Sequence, residues 1–261
     1  MNEPVRFVGA GPGDPELITV KGMRLLQEAD RVVYAGSLVP KTLLQYCRKD
    51  VLAFDSAPLT LEQTHALLKE GYEAGEKVVR LHTGDPGLYG ALHEQMALLD
   101  SDNIPYAVVP GVTAAFAAAA AMNRVLTIPE ISQTVILTRL GGRTPVPGKE
   151  SLADLASHRA TMLIYLSVQR IEEVVGQLGE HYAPDTPVMV AYRVGWPDQK
   201  FLRGTLGDIA GQVRAEQIGR QALILVGEVF GANAPEGEGG KRSKLYDKSF
   251  SHQFRDGGKN G

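Results

Sequence analysis

Short apolar runs alternate with helix-patterned stretches over the first half of the chain. Residues 5–8 (Val-Arg-Phe-Val) read as a strand that runs into Gly9-Ala10-Gly11-Pro12-Gly13-Asp14-Pro15. Beyond that loop, Thr19 is a candidate N-cap, and Val20, Met23, Leu26 and Ala29 recur at the spacing of one helical face. The pattern predicts further strands at 31–35, 77–82 and 106–109, and helices at 61–71, 88–99 and 114–122. Three of these four strands end in loops rich in Gly, Pro, Asp or Thr: 9–15, 83–87 and 110–113. Apolar strands alternating with helices imply a mostly parallel sheet covered on both faces. Ligands of such sheets bind outside the carboxyl ends of the strands.

The second half changes rhythm. Strands are expected at 133–138, 161–166, 187–194, 200–203 and 221–229, with helices at 152–157, 169–180 and 209–215. Some of these strands are joined by connections too short for a crossover helix, which predicts a mixed sheet. The expected organisation is therefore α/β: one domain over 1–120, a second over 121–233, and a tail over 234–261.

Composition narrows the functional classes. With 44% apolar and 22% charged residues, the 261-residue chain is ordinary for a globular protein. The net charge of -3 argues against a surface that grips nucleic acid, and no nucleic-acid partner is expected. The tail is the exception, with six basic and two acidic residues from Lys241 onward and Tyr246, Phe250 and Phe254 interleaved. Docking on protein is the favoured reading of that tail. Cys47 is the one cysteine, so an intrachain disulfide is impossible and a reducing compartment is expected. Residues 104–123 are uncharged but carry Pro105, Pro110, Gly111 and many alanines, so no membrane span is expected; nor is a secretory signal. These features predict a cytoplasmic protein.

The loops support limited chemistry. A dinucleotide site needs G-x-G-x-x-G, but Glu16 stands where the third glycine belongs. The acidic residue expected after the next strand is also missing, because Tyr34-Ala35-Gly36-Ser37 occupies that region. No two of the six histidines stand three to five residues apart, so no metal site is expected. Asp85, between Gly84 and Pro86, has two readings: a carboxylate accepting hydrogen bonds from a ligand, or the cap of the 88–99 helix. Thr113 likewise reads either as a cap of the alanine-rich helix or as a hydroxyl aimed at a ligand.

Three motifs together carry a resemblance. Gly9-Ala10-Gly11-Pro12-Gly13-Asp14-Pro15, His82-Thr83-Gly84-Asp85-Pro86-Gly87-Leu88-Tyr89-Gly90 and Val109-Pro110-Gly111-Val112-Thr113-Ala114 resemble the tetrapyrrole methylases in order and spacing. Within that family, the second motif, the stretch 137–147 and the tail segment 242–250 are similar to the precorrin-4 C11-methyltransferases of cobalamin synthesis. Uroporphyrinogen methylases typically carry a second glycine where Thr83 stands, and diphthine synthases lack the tail.

The resemblance implies a class III methyltransferase fold, with two α/β domains and a cofactor cleft between them, usually as a homodimer. It implies S-adenosylmethionine as methyl donor and a tetrapyrrole as substrate. By the same resemblance, Pro12, Thr83, Gly84, Asp85, Leu88, Thr113 and Ala114 bind the cofactor from the first domain, and Leu166, Tyr192 and Val194 from the second. Asp85 and Tyr89 are the candidate catalytic residues, with no general base identified. Arginine forks suit a substrate carrying acetates and propionates, and Arg139, Arg143 and Arg193 are the candidates. Two other classes stay open from the residues alone: a nicotinamide oxidoreductase using the first loop, and a non-enzymatic tetrapyrrole carrier.

Overall fold

The structure, a computed structural model, describes residues 2–142, 144–231, 250, 251 and 253. Its described residues divide into two compact units: those up to 118 with 193–199, and those of 119–192 with the ones from 200 onward.

In the first unit, five strands form an all-parallel sheet. They are β1 (Val5–Gly9), β2 (Arg31–Tyr34), β3 (Leu52–Asp55), β4 (Val78–His82) and β5 (Tyr106–Val109), in the order β3-β2-β4-β1-β5. Its helices are α1 (Val20–Glu28), α2 (Leu61–Glu73) and α3 (Leu92–Ser101), with α4 (Ala114–Ala121) following β5. Alternation along β1 sends Val8 to a core with Leu26, Val32 and Leu81, and sends Phe7 to a second core with Val33, Leu68 and Leu99. Burying one such leucine stabilises the fold by roughly 1.5–3 kcal/mol.

Local signals start the helices where expected. Thr19 accepts a hydrogen bond from the Gly22 amide, and Thr60 forms a reciprocal capping box with Gln63. Two expectations fail. Val20 is 61% exposed, because in the first turn its side chain points back past the helix end instead of into the core. The helix expected from residue 88 starts at Leu92, since Tyr89 (φ 55°) and Ala91 (φ 47°) are left-handed and break the turn. Strand β3 carried no sequence signal: it is a four-residue edge strand with Leu52 47% exposed.

The second unit holds a mixed sheet of β6 (Val135–Arg139), β7 (Thr161–Tyr165), β8 (Pro187–Tyr192), β9 (Lys200–Thr205) and β10 (Ala222–Val226), ordered β6-β7-β10-β8-β9. Only β6 and β7 pair in parallel; the other three pairings are antiparallel. Helices α5 (Leu152–Ala156), α6 (Ile171–Leu178) and α7 (Ile209–Ala215) pack on it through Leu152, Val174, Leu178 and Ile209. The division by compactness falls at 118/119, against 120/121 from the sequence, and residues 193–199 group with the first unit. The tail boundary at 234 lies outside the described residues.

Candidate functional site

The loops after β1, β4 and β5 leave neighbouring strands at the same sheet edge, because parallel strands put every carboxyl end on one side. Glycines let them interlock. A Cβ on Gly9 would stand 2.5 Å from the Gly111 backbone, and one on Gly111 would collide with the Gly84 carbonyl. Gly11 and Gly84 exchange backbone hydrogen bonds as an isolated antiparallel bridge (3.2 and 2.8 Å). Gly84 takes φ 60°, a conformation costly to residues with a Cβ.

Asp85 joins two of these loops. Its Oδ1 accepts from the Gly87 amide (2.8 Å) and its Oδ2 from the Gly111 amide (2.8 Å). It does not cap α3, whose N-cap is Ala91. The capping reading therefore fails, and the carboxylate ties the second loop to the third. Thr83, Leu88 and Ala114 are half-buried, while Pro12 and Thr113 are buried. Tyr89 is 43% exposed.

The first loop has a further support that sequence reasoning missed. The Trp196 indole N–H donates to the Pro12 carbonyl (3.1 Å), and a Cβ on Gly13 would run into the indole ring. Arg193 lies 4.1 Å over that ring and donates to Asp198 (2.8 Å). Residues 193–199 thus clamp the Gly-rich loop within the first unit, and Val194 stands there and not in the second domain, where the sequence put it. The available signal was a lone tryptophan between Gly195 and Pro197.

In the second unit, Arg139, Leu166 and Tyr192 share one sheet edge, since β6, β7 and β8 run the same way. Leu166 is left-handed (φ 54°) and 72% exposed, a costly combination for a large apolar residue. Ser167 braces the spot: its hydroxyl donates to the Tyr165 carbonyl (2.6 Å) and accepts from the Leu140 amide (2.8 Å). Arg139 donates to the Thr144 and Pro145 carbonyls (3.0 and 3.1 Å), shaping its own loop. Arg143 lies outside the described residues.

The donor set of the first unit decides between cofactors. Loops 9–17, 83–90 and 110–114 contain no Lys or Arg. Their glycines are spent on loop-to-loop contact and on the Trp196 bed, and β1 leads into a three-residue turn of helix, Pro15–Leu17. A pyrophosphate would find no cation in these loops. Thr hydroxyls, backbone groups, apolar Pro12 and Leu88, and the carboxylates of Asp14, Glu16 and Asp85 suit a ligand with hydroxyls and a positive centre. That chemistry fits S-adenosylmethionine and argues against the nicotinamide reading.

Comparison with known proteins agrees. Residues 4–210 match the family Tetrapyrrole (Corrin/Porphyrin) Methylases. The chain belongs to the tetrapyrrole methylase family. Among curated relatives, the precorrin-4 C(11)-methyltransferase of Pseudomonas aeruginosa is 50% identical, covering 97% of this chain and 99% of its own. The cobalt-precorrin-4 C(11)-methyltransferase of Methanocaldococcus jannaschii is 49% identical, covering 97% and 96%. Of solved structures, the cobalt precorrin-4 methyltransferase CbiF superposes with a TM-score of 0.84 at 45% identity, over 87% of this chain and 95% of that one. A uroporphyrin-III C-methyltransferase from Thermus thermophilus, complexed with S-adenosylhomocysteine, superposes at 0.72 with 29% identity, over 87% and 93%.

Outside these loops the described residues offer little competing chemistry. No group of three or more His, Cys, Asp or Glu among them is placed to hold a metal, and no described helix is long and apolar enough to cross a membrane. Cys47 is half-buried, and burial pushes its thiol pKa up, away from the nucleophilic thiolate.

Proposed function

We propose that this chain is an S-adenosylmethionine-dependent C-methyltransferase that methylates C11 of precorrin-4, giving precorrin-5 in cobalamin biosynthesis. The observation that carries the reading is the set of three interlocked, cation-free loops at one parallel-sheet edge, in a chain half identical to enzymes named for that reaction. S-adenosylmethionine, when bound, supplies a methyl group already activated by a sulfonium. The protein's task is then to position the donor and the ring carbon and to keep water out. Displacement is fastest when the reacting atoms are held about 3–3.5 Å apart and in line.

Pro12, Thr83, Gly84, Asp85, Leu88, Thr113 and Ala114 are the proposed cofactor residues of the first unit, joined there by Val194. Asp85 acts by holding its loop to Gly111. Leu166 and Tyr192 are the proposed cofactor residues of the second unit, a reading supported by the exposure and backbone strain of Leu166. Arg139, Arg143 and Arg193 remain the proposed carboxylate partners of the macrocycle. Arg139 and Arg193 also hold their own loops. A homodimer is proposed from the family resemblance and from the 58% exposure of Phe116 on α4. A cytoplasmic setting is proposed from the single unpaired cysteine.

The test is incubation with S-adenosylmethionine and either metal-free or cobalt-bound precorrin-4, followed by mass spectrometry. A product one methyl heavier, with the new carbon at C11, is expected from the metal-free macrocycle. Product from the cobalt form alone assigns the chain to the cobalt-dependent route. No product from either, with S-adenosylhomocysteine still binding in calorimetry, moves the activity to another tetrapyrrole carbon.

A further inference from the structure

Strand β4 is flanked by β2 and β1, and all five of its residues are buried, yet its sequence is Val-Val-Arg-Leu-His. Arg80 and His82 stand two residues apart, so both side chains enter the same covered face, where the His82 ring lies 5.7 Å from Phe7. Burying a cation is costly unless its hydrogen bonds are satisfied. Among the described residues no carboxylate pairs with Arg80, and burial draws its guanidinium down to about 10, leaving it charged at neutral pH. Its Nε donates to Gln95 Oε1 (3.0 Å), and its Nη1 donates to Ser56 Oγ (2.9 Å) and to the Val33 carbonyl (3.3 Å).

The chain of contacts leads to one place. Gln95, 5% exposed, donates through Nε2 to the Ala91 carbonyl (3.1 Å). The His82 imidazole hydrogen-bonds to the Gly90 backbone, where a Cβ would stand 3.1 Å from its Nδ1. Residues 89–91 are the segment in which Tyr89 and Ala91 are left-handed, a strained backbone for residues with a Cβ. Such strain persists only where surrounding structure over-determines it. The hydrocarbon core gains nothing from an arginine and a histidine here; the 89–91 segment does.

We propose that Arg80, His82 and Gln95 are positioning residues for methyl transfer, a buried polar frame that holds residues 89–91 and so presents Tyr89 at the edge where the three loops meet. This rests on the reading of the site as a tetrapyrrole methyltransferase. Tyr89 is the group that meets the macrocycle, with an aromatic face and a hydroxyl suited to a conjugated ring bearing carboxylates. The frame itself touches neither substrate.

Two variants separate positioning from support. Gln95→Met keeps the length and burial of the side chain and removes both hydrogen bonds. Gln95→Glu keeps the acceptor for Arg80 but sets a carboxylate against the Ala91 carbonyl. Gln95→Glu is expected to unfold near the wild-type temperature while kcat falls about ten-fold, with S-adenosylhomocysteine affinity within two-fold. Gln95→Met is expected to lower kcat similarly, and to add less than two-fold in a Tyr89→Ala background. Amide exchange across 89–91, which needs no turnover, is expected to quicken at least ten-fold in either variant. The proposal is overturned if kcat stays within two-fold of wild type, if the Gln95→Met effect persists in full without Tyr89, or if exchange at 89–91 is unchanged. A wild type that methylates no tetrapyrrole would instead overturn the functional reading, and the exchange result would still decide whether the frame exists.

Discussion

The two sheets solve the same problem differently. In the first unit all five strands are parallel, so three adjacent loops open on one edge and lock together through glycine backbones and one carboxylate. In the second unit three of the four pairings are antiparallel, so only β6, β7 and β8 point their carboxyl ends the same way. Their ends are held by side chains, through Ser167 and Arg139, and an exposed left-handed leucine, Leu166, follows β7. A glycine-locked edge tolerates almost no change of volume. A side-chain-braced edge should tolerate substitution with little loss of fold. The contrast can be broken at either end.

The largest effect is expected at Gly111. Gly111→Val drives a branched side chain into the Gly84 carbonyl and Gly9. Overpacking of this kind costs about 1–3 kcal/mol, and displacing a reacting group by ~1 Å costs about 100-fold in rate. Denaturant unfolding and turnover per folded molecule should both fall. Wild-type values in both would show that the loops are not locked.

Asp85→Ala comes next. Freeing the Gly87 and Gly111 amides costs about 1–2 kcal/mol, and turnover should fall by roughly 100-fold. A stability loss without a rate loss would return Asp85 to a purely structural role.

Leu166→Gly probes the braced edge and should split the two readouts. Glycine accepts φ 54° without strain, so thermal stability should rise by roughly 0.5–1 kcal/mol while kcat/KM falls ~10-fold. A drop in stability would mean that the leucine packs and is not held for function.

The last effect is electrostatic and is read in stability alone. Burial, and then the Arg80 charge, depress His82 from the ordinary 6.5 to about 3. The folded protein therefore keeps His82 neutral where the unfolded chain takes up a proton. Stability conferred by this histidine is present above pH 6.5 and is lost as pH falls from there toward 3, by up to ~1.4 kcal/mol per pH unit. Unfolding free energy measured between pH 7 and 5 should fall less steeply in His82→Leu than in wild type. Equal slopes would place His82 in water.

Periodicity and loop composition made the α/β class, the parallel first sheet, the mixed second sheet and the three loop motifs legible, because each depends on local backbone preference and on which face is apolar. The Gly-Asp-Pro and Pro-Gly-Val-Thr loops marked the candidate site, since glycine and proline record backbone constraints directly in the sequence. What Asp85 does with its Oδ2, why Gly13 must lack a side chain, and why Val194 stands with the first unit are contacts across 26 to 184 positions of chain. The same holds for Arg80, whose oddity was visible as a charge in an apolar strand but whose partners, Ser56 and Gln95, come from elements 24 and 15 residues away. Local sequence sets φ, ψ and face. Which distant groups then meet is decided only when the sheets close, because the hydrogen bonds that fix the site form between segments with no neighbouring relation in the chain.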